Sequence, residues 1–258
     1  MIEVPIPVPA QTLQVSEILG ISTEQAQRIW NLASEKYNAC MKKRFSEVNV
    51  RRRINNTNPF MTAVRDTKTV EKWAYLQVLS TFFASEEEAI GHLLEALVKE
   101  CHIGSRPPKY PDGLDYEIEN DNTVIGYQVK SGKDLNSSTK NNLSVTSNSV
   151  KAKYQAEGKT FNCIAASCYG RKSTTSPPSH DFTYLSSREF WSRIGNGNPN
   201  FDYKIGQVLN LICAEFHREI KDVLAPELCA RLTQEALPLI GNPDGTLNLE
   251  KLFRQVNG

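Results

Sequence analysis

The sequence predicts an α/β fold, a mixed β-sheet flanked by helices, with helical additions at both ends. Two period-2 segments flank an Asp-Asn turn within residues 114–129, and a near-continuous apolar run occupies residues 160–170. A helical pattern precedes the first of these features, separates the two and follows the second. At 258 residues the chain is long enough to bury one substantial core.

The first feature predicts a β-hairpin whose register follows from its apolar pattern. Apolar side chains alternate with polar ones on both sides of the turn, at Leu114, Tyr116, Ile118, Ile125, Tyr127 and Val129. Because the apolar residues of both strands must share a face, we expect three cross-strand pairs. They are Ile118 with Ile125, Tyr116 with Tyr127, and Leu114 with Val129.

Three polar side chains are expected to converge on the other face of the hairpin. The same register sets Asp115 opposite Gln128, and Lys130 lies diagonally from Asp115 at roughly 7–8 Å between backbone positions. Mg²⁺ takes hard oxygen ligands, usually one or two carboxylates with water and phosphate. A cation of this kind screens phosphate charge, while a lysine can position or activate the attacking water. The arrangement therefore suits metal-assisted phosphodiester cleavage.

These residues carry a resemblance to a known superfamily. Pro111-Asp112 and Asp115, followed by Gln128-Val129-Lys130, resemble the PD-(D/E)XK nuclease motif. The Ser-Gly after Lys130 and the downstream Asn136 resemble type II restriction endonucleases. The resemblance implies a restriction-endonuclease-like core, Mg²⁺ as cofactor and double-stranded DNA as partner.

Shorter segments resemble the restriction endonucleases that cut interrupted GG…CC sites. They are Asn58-Pro59-Phe60-Met61, Tyr169-Gly170 and the SREFW sequence at 187–191. The first segment has a second interpretation, a packing turn before a helix at 68–83. Asn58, the first residue of this segment, is a candidate DNA contact because of the resemblance.

The sequence departs from the superfamily pattern at Gln128, where an acid is usual, so a second acidic ligand is needed elsewhere. In these nucleases the helix before the hairpin often contributes a metal-binding glutamate in a setting similar to Gly91-x-x-x-Glu95. Glu95 is therefore the first candidate and Glu117 the second, although Glu95 could equally lie at the border of a surface helix. The predicted catalytic residues are Asp115, Gln128 and Lys130, and the predicted metal ligands are Asp115, Gln128, Glu95 and Glu117.

Charge is distributed unevenly although the net charge is only +1. Residues 85–121 hold ten acids against three bases, whereas residues 130–173 hold eight bases against two acids. An acidic centre for cations beside a basic rim for phosphates is what a nuclease needs. The predicted DNA contacts are Arg51, Arg52, Arg53, Asn58, Lys133, Asn136 and Lys140. The arginine run could instead be a solvated surface.

Three regions are expected. Residues 1–84 form a helical region for DNA contact and dimerisation, residues 85–220 the catalytic core, and residues 221–258 a helical region packed on the core. A capping box at Ser85 and Glu88 predicts a new helix there, after the one at 68–83. In the remaining helical sequence we expect interruptions at 225–226 and at 241–245.

Several classes of protein are disfavoured. The six cysteines show no zinc spacing and are expected to be reduced core thiols. No P-loop, GxGxxG, GxSxG or HExxH motif occurs. With no apolar run of transmembrane length and no secretory leader, we expect a cytoplasmic protein with no membrane partner.

The sequence thus predicts a Mg²⁺-dependent type II restriction endonuclease that cuts duplex DNA at a short palindromic site. Two copies are needed to cut both strands, so a homodimer is expected, with a DNA methyltransferase as genetic partner. One alternative is a repair or structure-specific nuclease of the same superfamily. Another is a non-catalytic DNA-binding protein on a decayed nuclease fold, of which Gln128 would be the sign.

Overall fold

The structure, a computed structural model, describes residues 10–132, 135–171 and 173–257. Lys133, a predicted DNA contact, lies outside these residues. The chain divides into two compact units: Met1–Ala33 with Ile90–Ile212, and Ser34–Ala89 with Cys213–Gly258. The hairpin and every candidate catalytic residue belong to the first unit.

The first unit is built on a five-stranded sheet of order β1-β2-β3-β4-β5. The strands are β1 (Ser105–Arg106), β2 (Tyr116–Asn120), β3 (Thr123–Lys130), β4 (Thr160–Ser167) and β5 (Thr183–Leu185). The first three strands pair antiparallel, while β3 with β4 and β4 with β5 pair parallel. The predicted mixed sheet flanked by helices is therefore confirmed.

The predicted register of the hairpin is confirmed next to its turn. Tyr116 pairs with Tyr127 and Ile118 pairs with Ile125. The turn residue Asp121 has a φ of 51°, a left-handed conformation that Asp tolerates better than most residues.

The third predicted pair, Leu114 with Val129, is wrong. The backbone N–H of Asp115 donates to the carbonyl of Tyr127 (2.8 Å), one residue out of the register of the ladder. Leu114 consequently packs against Gly126, on the opposite side of the sheet from Tyr127. The regular pairing of the hairpin therefore extends only as far as Tyr116, the first residue of β2.

The helix α7 (Ser137–Ala156) covers one face of the sheet. The buried cluster on this face includes Leu114, Val124, Leu143, Val150, Tyr154, Phe161 and Cys163. The Asn136 side chain accepts the backbone N–H of Thr139 (2.7 Å) and caps the first turn of α7. On the other face, His102 contacts Tyr116, whose hydroxyl lies 2.9 Å from Nδ1 of the imidazole.

A single helix, α6 (Val70–Cys101), occupies the place of the two predicted helices. Ser85 is buried inside it and starts no new helix. Buried positions continue through this point at helical spacing, at Val78, Phe82, Ser85, Ala89, Leu93 and Leu97. Ser and Glu at capping-box spacing also fit the interior of a helix when the apolar stripe is unbroken.

The other helices of the first unit are α1 (Ala10–Leu19), α2 (Thr23–Ala33), α8 (Ser187–Ile194) and most of α9 (Phe201–Glu219). The indole N–H of Trp191 in α8 donates to the carbonyl of Cys168 (2.7 Å) just after β4. This bond is buried and fixes α8 to the end of the strand.

The second unit is helical. Beside the first part of α6 it contains α3 (Cys40–Ser46), α4 (Val50–Asn55), α5 (Pro59–Val64), α10 (Ala225–Ile240) and α11 (Leu249–Asn257), with π-helical segments at Ser34–Ala39 and Ile220–Leu224. Helical structure continues across the interruption predicted at 225–226, where the π-helical segment changes to α10 and Pro226 lies in the first turn of α10. The interruption at 241–245 is confirmed. No helix within the described ranges is long and apolar enough to cross a membrane.

Replacing glycine by alanine should have opposite effects on stability at two positions of the first unit. A Cβ at Gly126 would lie 2.8 Å from Leu114 Cδ1 and 2.9 Å from the Phe161 ring, so Gly126→Ala should destabilise the protein by about 1–3 kcal/mol. Gly206 lies inside α9 with open space around it, so Gly206→Ala should stabilise the helix by about 1 kcal/mol. Urea unfolding measures both changes. Equal midpoints for the two variants would contradict the packing of β3 against Leu114 and Phe161.

Candidate active site

The predicted catalytic residues lie where β2 begins and β3 ends. Asp115 directly precedes β2, and Lys130 is the last residue of β3. Asp115, Gln128 and Lys130 are all half-buried. The ends of neighbouring strands therefore bring all three into one region of the first unit.

The Asp115 carboxylate takes part in the hydrogen bonding of the sheet. Its Oδ2 accepts the backbone N–H of Val129 (2.7 Å), where a regular ladder would use the carbonyl of Leu114. This bond replaces a main-chain acceptor and permits the shift in register at Asp115. Among the described residues Oδ1 has no hydrogen-bond partner, so one oxygen holds the backbone while the other is available to a ligand.

The Gln128 amide is only half satisfied. Its Nε2 donates to the carbonyl of Gly113 (3.0 Å), which fixes which end of the amide is the oxygen. Gly113 has a φ of 86°, a conformation that glycine adopts readily and that turns the chain toward Gln128. The Oε1 atom is buried without a hydrogen-bond partner in the described structure. A buried acceptor in this state costs about 1–3 kcal/mol unless a ligand or water satisfies it.

The Lys130 ammonium forms no ion pair with any carboxylate that the structure describes. The backbone of Lys130 is held on its other side by the parallel strand β4, since its carbonyl accepts the N–H of Cys168 (2.8 Å). The charged end of the side chain is thus left for a ligand while its backbone is fixed.

Glu95, on α6, is electrostatically coupled to this region. Burial and the negative charge of Asp115 raise the pKa of the Glu95 carboxyl, and the Lys130 charge opposes the shift. The same two carboxylates contribute to the pKa of the Cys168 thiol, which burial raises to about 12. Cys168 therefore stays protonated at neutral pH. The acidic part of the site consists of Asp115 and Glu95.

The approach of α6 to the end of β3 depends on Gly91. A Cβ on Gly91 would lie 2.9 Å from the Ser131 Oγ and 3.5 Å from the Ser131 Cβ. The helix and the strand end are therefore in close contact, one turn before Glu95 and one residue after Lys130. The Gly91-x-x-x-Glu95 spacing was visible in the sequence, but its contact with Ser131 was not.

Glu117 has a role different from the metal ligand expected from the sequence. It is buried, with its Oε1 accepting from Arg106 Nε (2.9 Å) and its Oε2 from the Tyr154 hydroxyl (2.7 Å). Both oxygens are used by residues of β1 and α7. Glu117 therefore joins the sheet to α7 and leaves Glu95 as the acid near Asp115.

The donor set fits a hard divalent cation. Within the described ranges no three His, Cys, Asp or Glu side chains are grouped to hold a metal. The site instead combines the carboxylates of Asp115 and Glu95 with the unsatisfied amide oxygen of Gln128. Oxygen donors of this kind, with few carboxylates, suit Mg²⁺, which keeps several waters.

Comparison with known proteins identifies the family of the chain. The sequence profile of the family described as type II restriction endonuclease EcoO109I matches residues 27–216, more than half of the chain. The chain belongs to this restriction endonuclease family. It is accordingly an endonuclease that acts on DNA, of the PD-(D/E)XK superfamily. The comparison with curated proteins gave no match.

The predicted DNA contacts that fall within the described residues, all but Lys133, lie on helices and helix caps. Arg51, Arg52 and Arg53 are on α4, and Asn58 caps α5 by accepting the Met61 N–H (3.1 Å). In the other unit, Asn136 caps α7 and Lys140 lies in its first turn. The two asparagine oxygens thus have structural roles whether or not the amides also meet DNA.

The contact between Gly91 and Ser131 predicts that a substitution at Ser131 restores the cleavage rate lost by a substitution at Gly91. Gly91→Ala should lower the cleavage rate several-fold, because the new methyl group pushes Ser131 away beside Lys130. Adding Ser131→Ala removes the Oγ and leaves a Cβ contact of ordinary length, so the double variant should recover most of the rate. Cleavage rates of the two single variants and the double variant, with unfolding curves as a control, measure this coupling. A double variant as slow as Gly91→Ala would contradict it.

Proposed function

We propose that this endonuclease is Mg²⁺-dependent and cuts a short palindromic DNA site as a homodimer. The observation that carries the metal proposal is the buried, unpartnered Oε1 of Gln128. It lies in the motif position that resembles the second acidic ligand of the superfamily, in the same region as Asp115.

The amide explains how the site could work without the usual acid. An amide oxygen can bind a hard cation, although it contributes no net charge. Glu95 supplies the missing negative charge from α6, and its raised pKa is the state expected of a carboxyl near Asp115 with no cation bound. Together the three side chains offer two negative charges and at least one oxygen donor each.

The residues have separate roles in the proposed reaction. When bound, a divalent cation supplies charge neutralisation at the scissile phosphate. Asp115, Glu95 and Gln128 would hold it, and the Asp115 bond to Val129 keeps that carboxylate in place. The Lys130 ammonium orients the attacking water and stabilises the negative charge that develops on the phosphate. Lys130 is suited to this because its ammonium forms no ion pair with a carboxylate in the described structure.

The proposed homodimer and the proposed DNA target sequence rest on different observations. One chain carries one set of Asp115, Gln128 and Lys130, whereas duplex cleavage needs two, and a twofold axis matches a palindromic target. The interrupted GG…CC target rests on the resemblance at 58–61, 169–170 and 187–191. A methyltransferase that protects the same sequence is the expected genetic partner, and the cytoplasm, where such DNA lies, the expected compartment.

Cleavage mapping tests the proposal directly. We expect the purified full chain with Mg²⁺ to cut unmodified phage DNA into discrete fragments whose ends share one short palindrome. Asp115→Asn is the matched control, because its amide oxygen still accepts the Val129 N–H while the charge is lost, and it should bind DNA without cutting it. Ends of unrelated sequence would favour a repair or structure-specific nuclease. Binding without cleavage in any divalent cation would favour the non-catalytic alternative.

The role of Gln128 predicts opposite effects of two substitutions. Gln128→Glu adds a negative charge at the same position and should lower the Mg²⁺ concentration needed for half-maximal cleavage. Gln128→Leu removes the oxygen and should raise that concentration by at least the ~10–100-fold that loss of an outer-shell partner costs at metal sites. Cleavage rates across a Mg²⁺ titration measure both changes.

The same titration connects Gln128 with Glu95. Glu95→Gln should raise the Mg²⁺ requirement, and adding Gln128→Glu should partly restore it, because the second change returns the lost charge. If the residues share one cation, Gln128→Glu should lower the Mg²⁺ requirement more in the Glu95→Gln variant than in the wild type, whereas equal effects in the two backgrounds would mean that they do not. Ser144→Ala in α7, outside the candidate site, serves as a control that should leave the titration unchanged.

A further inference from the structure

A polar cavity of about 340 Å³ lies in the second unit. It is lined by residues of α3, α4 and the segment between them and by the middle of α6, and all of them belong to this unit. Its charged lining consists of three arginines and two glutamates, namely Arg44, Arg52, Arg53, Glu47 and Glu88. The volume lies at the lower end of the ~300–1,000 Å³ of small-molecule sites, so the cavity can admit a small polar group.

The carboxylates of the cavity have other partners. Glu88 pairs with Arg44 (2.5 Å), and Glu47 lies 3.8 Å from the Lys43 ammonium. Arg52 and Arg53 form no ion pair or side-chain hydrogen bond with any residue that the structure describes. Two positive groups of the cavity are therefore left without a counter-charge.

The two guanidinium groups act on each other unfavourably. Arg53 is half-buried, and burial together with the charge of Arg52 lowers the pKa of its guanidinium. A charged group withdrawn from water beside a like charge is costly unless an ion of opposite sign compensates it. An anion in the cavity would remove both costs.

Neutral donors complete the cavity. The Oδ1 of Asn49 accepts the backbone N–H of Arg52 (2.9 Å), so the NH₂ group of the Asn49 side chain remains available as a donor. Asn56, at the other end of α4, is exposed to the same space. Planar guanidinium forks with amide donors match the oxygens of a phosphate, which accept several hydrogen bonds.

We propose that the cavity bounded by Asn49, Arg52, Arg53 and Asn56 binds one phosphate of the DNA backbone. The inference rests on the proposed function, in which duplex DNA is the substrate. It divides the predicted basic run into two kinds of residue. Arg52 and Arg53 line the cavity and hold the phosphate, whereas Arg51, which is exposed as Arg52 is, does not line the cavity and makes no phosphate contact there.

DNA binding by the full chain, measured across a salt series without divalent cations, tests this division. Arg52→Gln and Arg53→Gln should each weaken binding to cognate and unrelated DNA alike. Each should also reduce the slope of log affinity against log salt by about 0.9, the change for one lost phosphate contact. Arg53→Lys keeps the charge without the fork, so it should keep the slope and lose affinity. The matched control is Arg51→Gln, for which we expect an unchanged slope.

Several results would overturn the proposal. Equal effects of the three glutamine variants would mean a general basic surface, and no effect of Arg53→Gln would mean that the cavity does not meet DNA. Thermal unfolding in inorganic phosphate, against chloride of equal ionic strength, gives the second arm. Stabilisation by phosphate alone, with DNA binding unaffected by Arg53→Gln, would assign the cavity to a free anion and overturn the DNA assignment.

Failure of this inference is distinguishable from failure of the proposed function. Wild-type protein that cleaves with Mg²⁺ while Arg53→Gln binds like wild type contradicts only the cavity. Wild-type protein that binds but never cleaves contradicts only the metal-dependent reaction. Unfolding curves of the variants exclude a general loss of structure.

Discussion

The arrangement of the first unit depends on β3, which is hydrogen-bonded along both edges. Its antiparallel partner β2 and its parallel partner β4 fix the backbone of Lys130 and place Asp115 beside the same end. The bond from the Val129 N–H to the Asp115 carboxylate ends the regular ladder and begins the site. One hydrogen bond thus belongs both to the sheet and to the proposed site, so the Asp115 carboxylate cannot move without disturbing β3.

The sequence was most informative where alternation was regular. The pairs on either side of Asp121 and the mixed sheet both follow from period-2 patterning and local motifs. Leu114 was misplaced, because a side-chain oxygen replaced a backbone acceptor and no pattern of hydrophobicity encodes that exchange. The unbroken α6 was missed because a serine and a glutamate at capping spacing are also compatible with the inside of a buried helix.

The sequence was also limited in identifying the acidic residue that would replace the usual acid at Gln128. From the sequence Glu95 was the first candidate and Glu117 the second, and the three-dimensional neighbours of each separate them further. Arg106 and Tyr154 occupy both oxygens of Glu117, and both residues are distant from it in sequence. Gly91 carries a weak signal in its spacing to Glu95, whereas its contact with Ser131 depends on how closely the helix approaches the strand end. Pairing with distant residues is what local sequence cannot reveal.

The shared electrostatics of Glu95 and Asp115 imply a thermodynamic linkage between substrate and cation. Two carboxylates in a partly buried space oppose the entry of a third negative charge, and a phosphodiester brings that charge. In the proposed site, DNA therefore binds with uptake of a cation or a proton. By reciprocity, the cation raises the affinity for DNA by the same factor by which DNA raises the affinity for the cation. The free protein would hold its cation weakly and retain it tightly only on DNA.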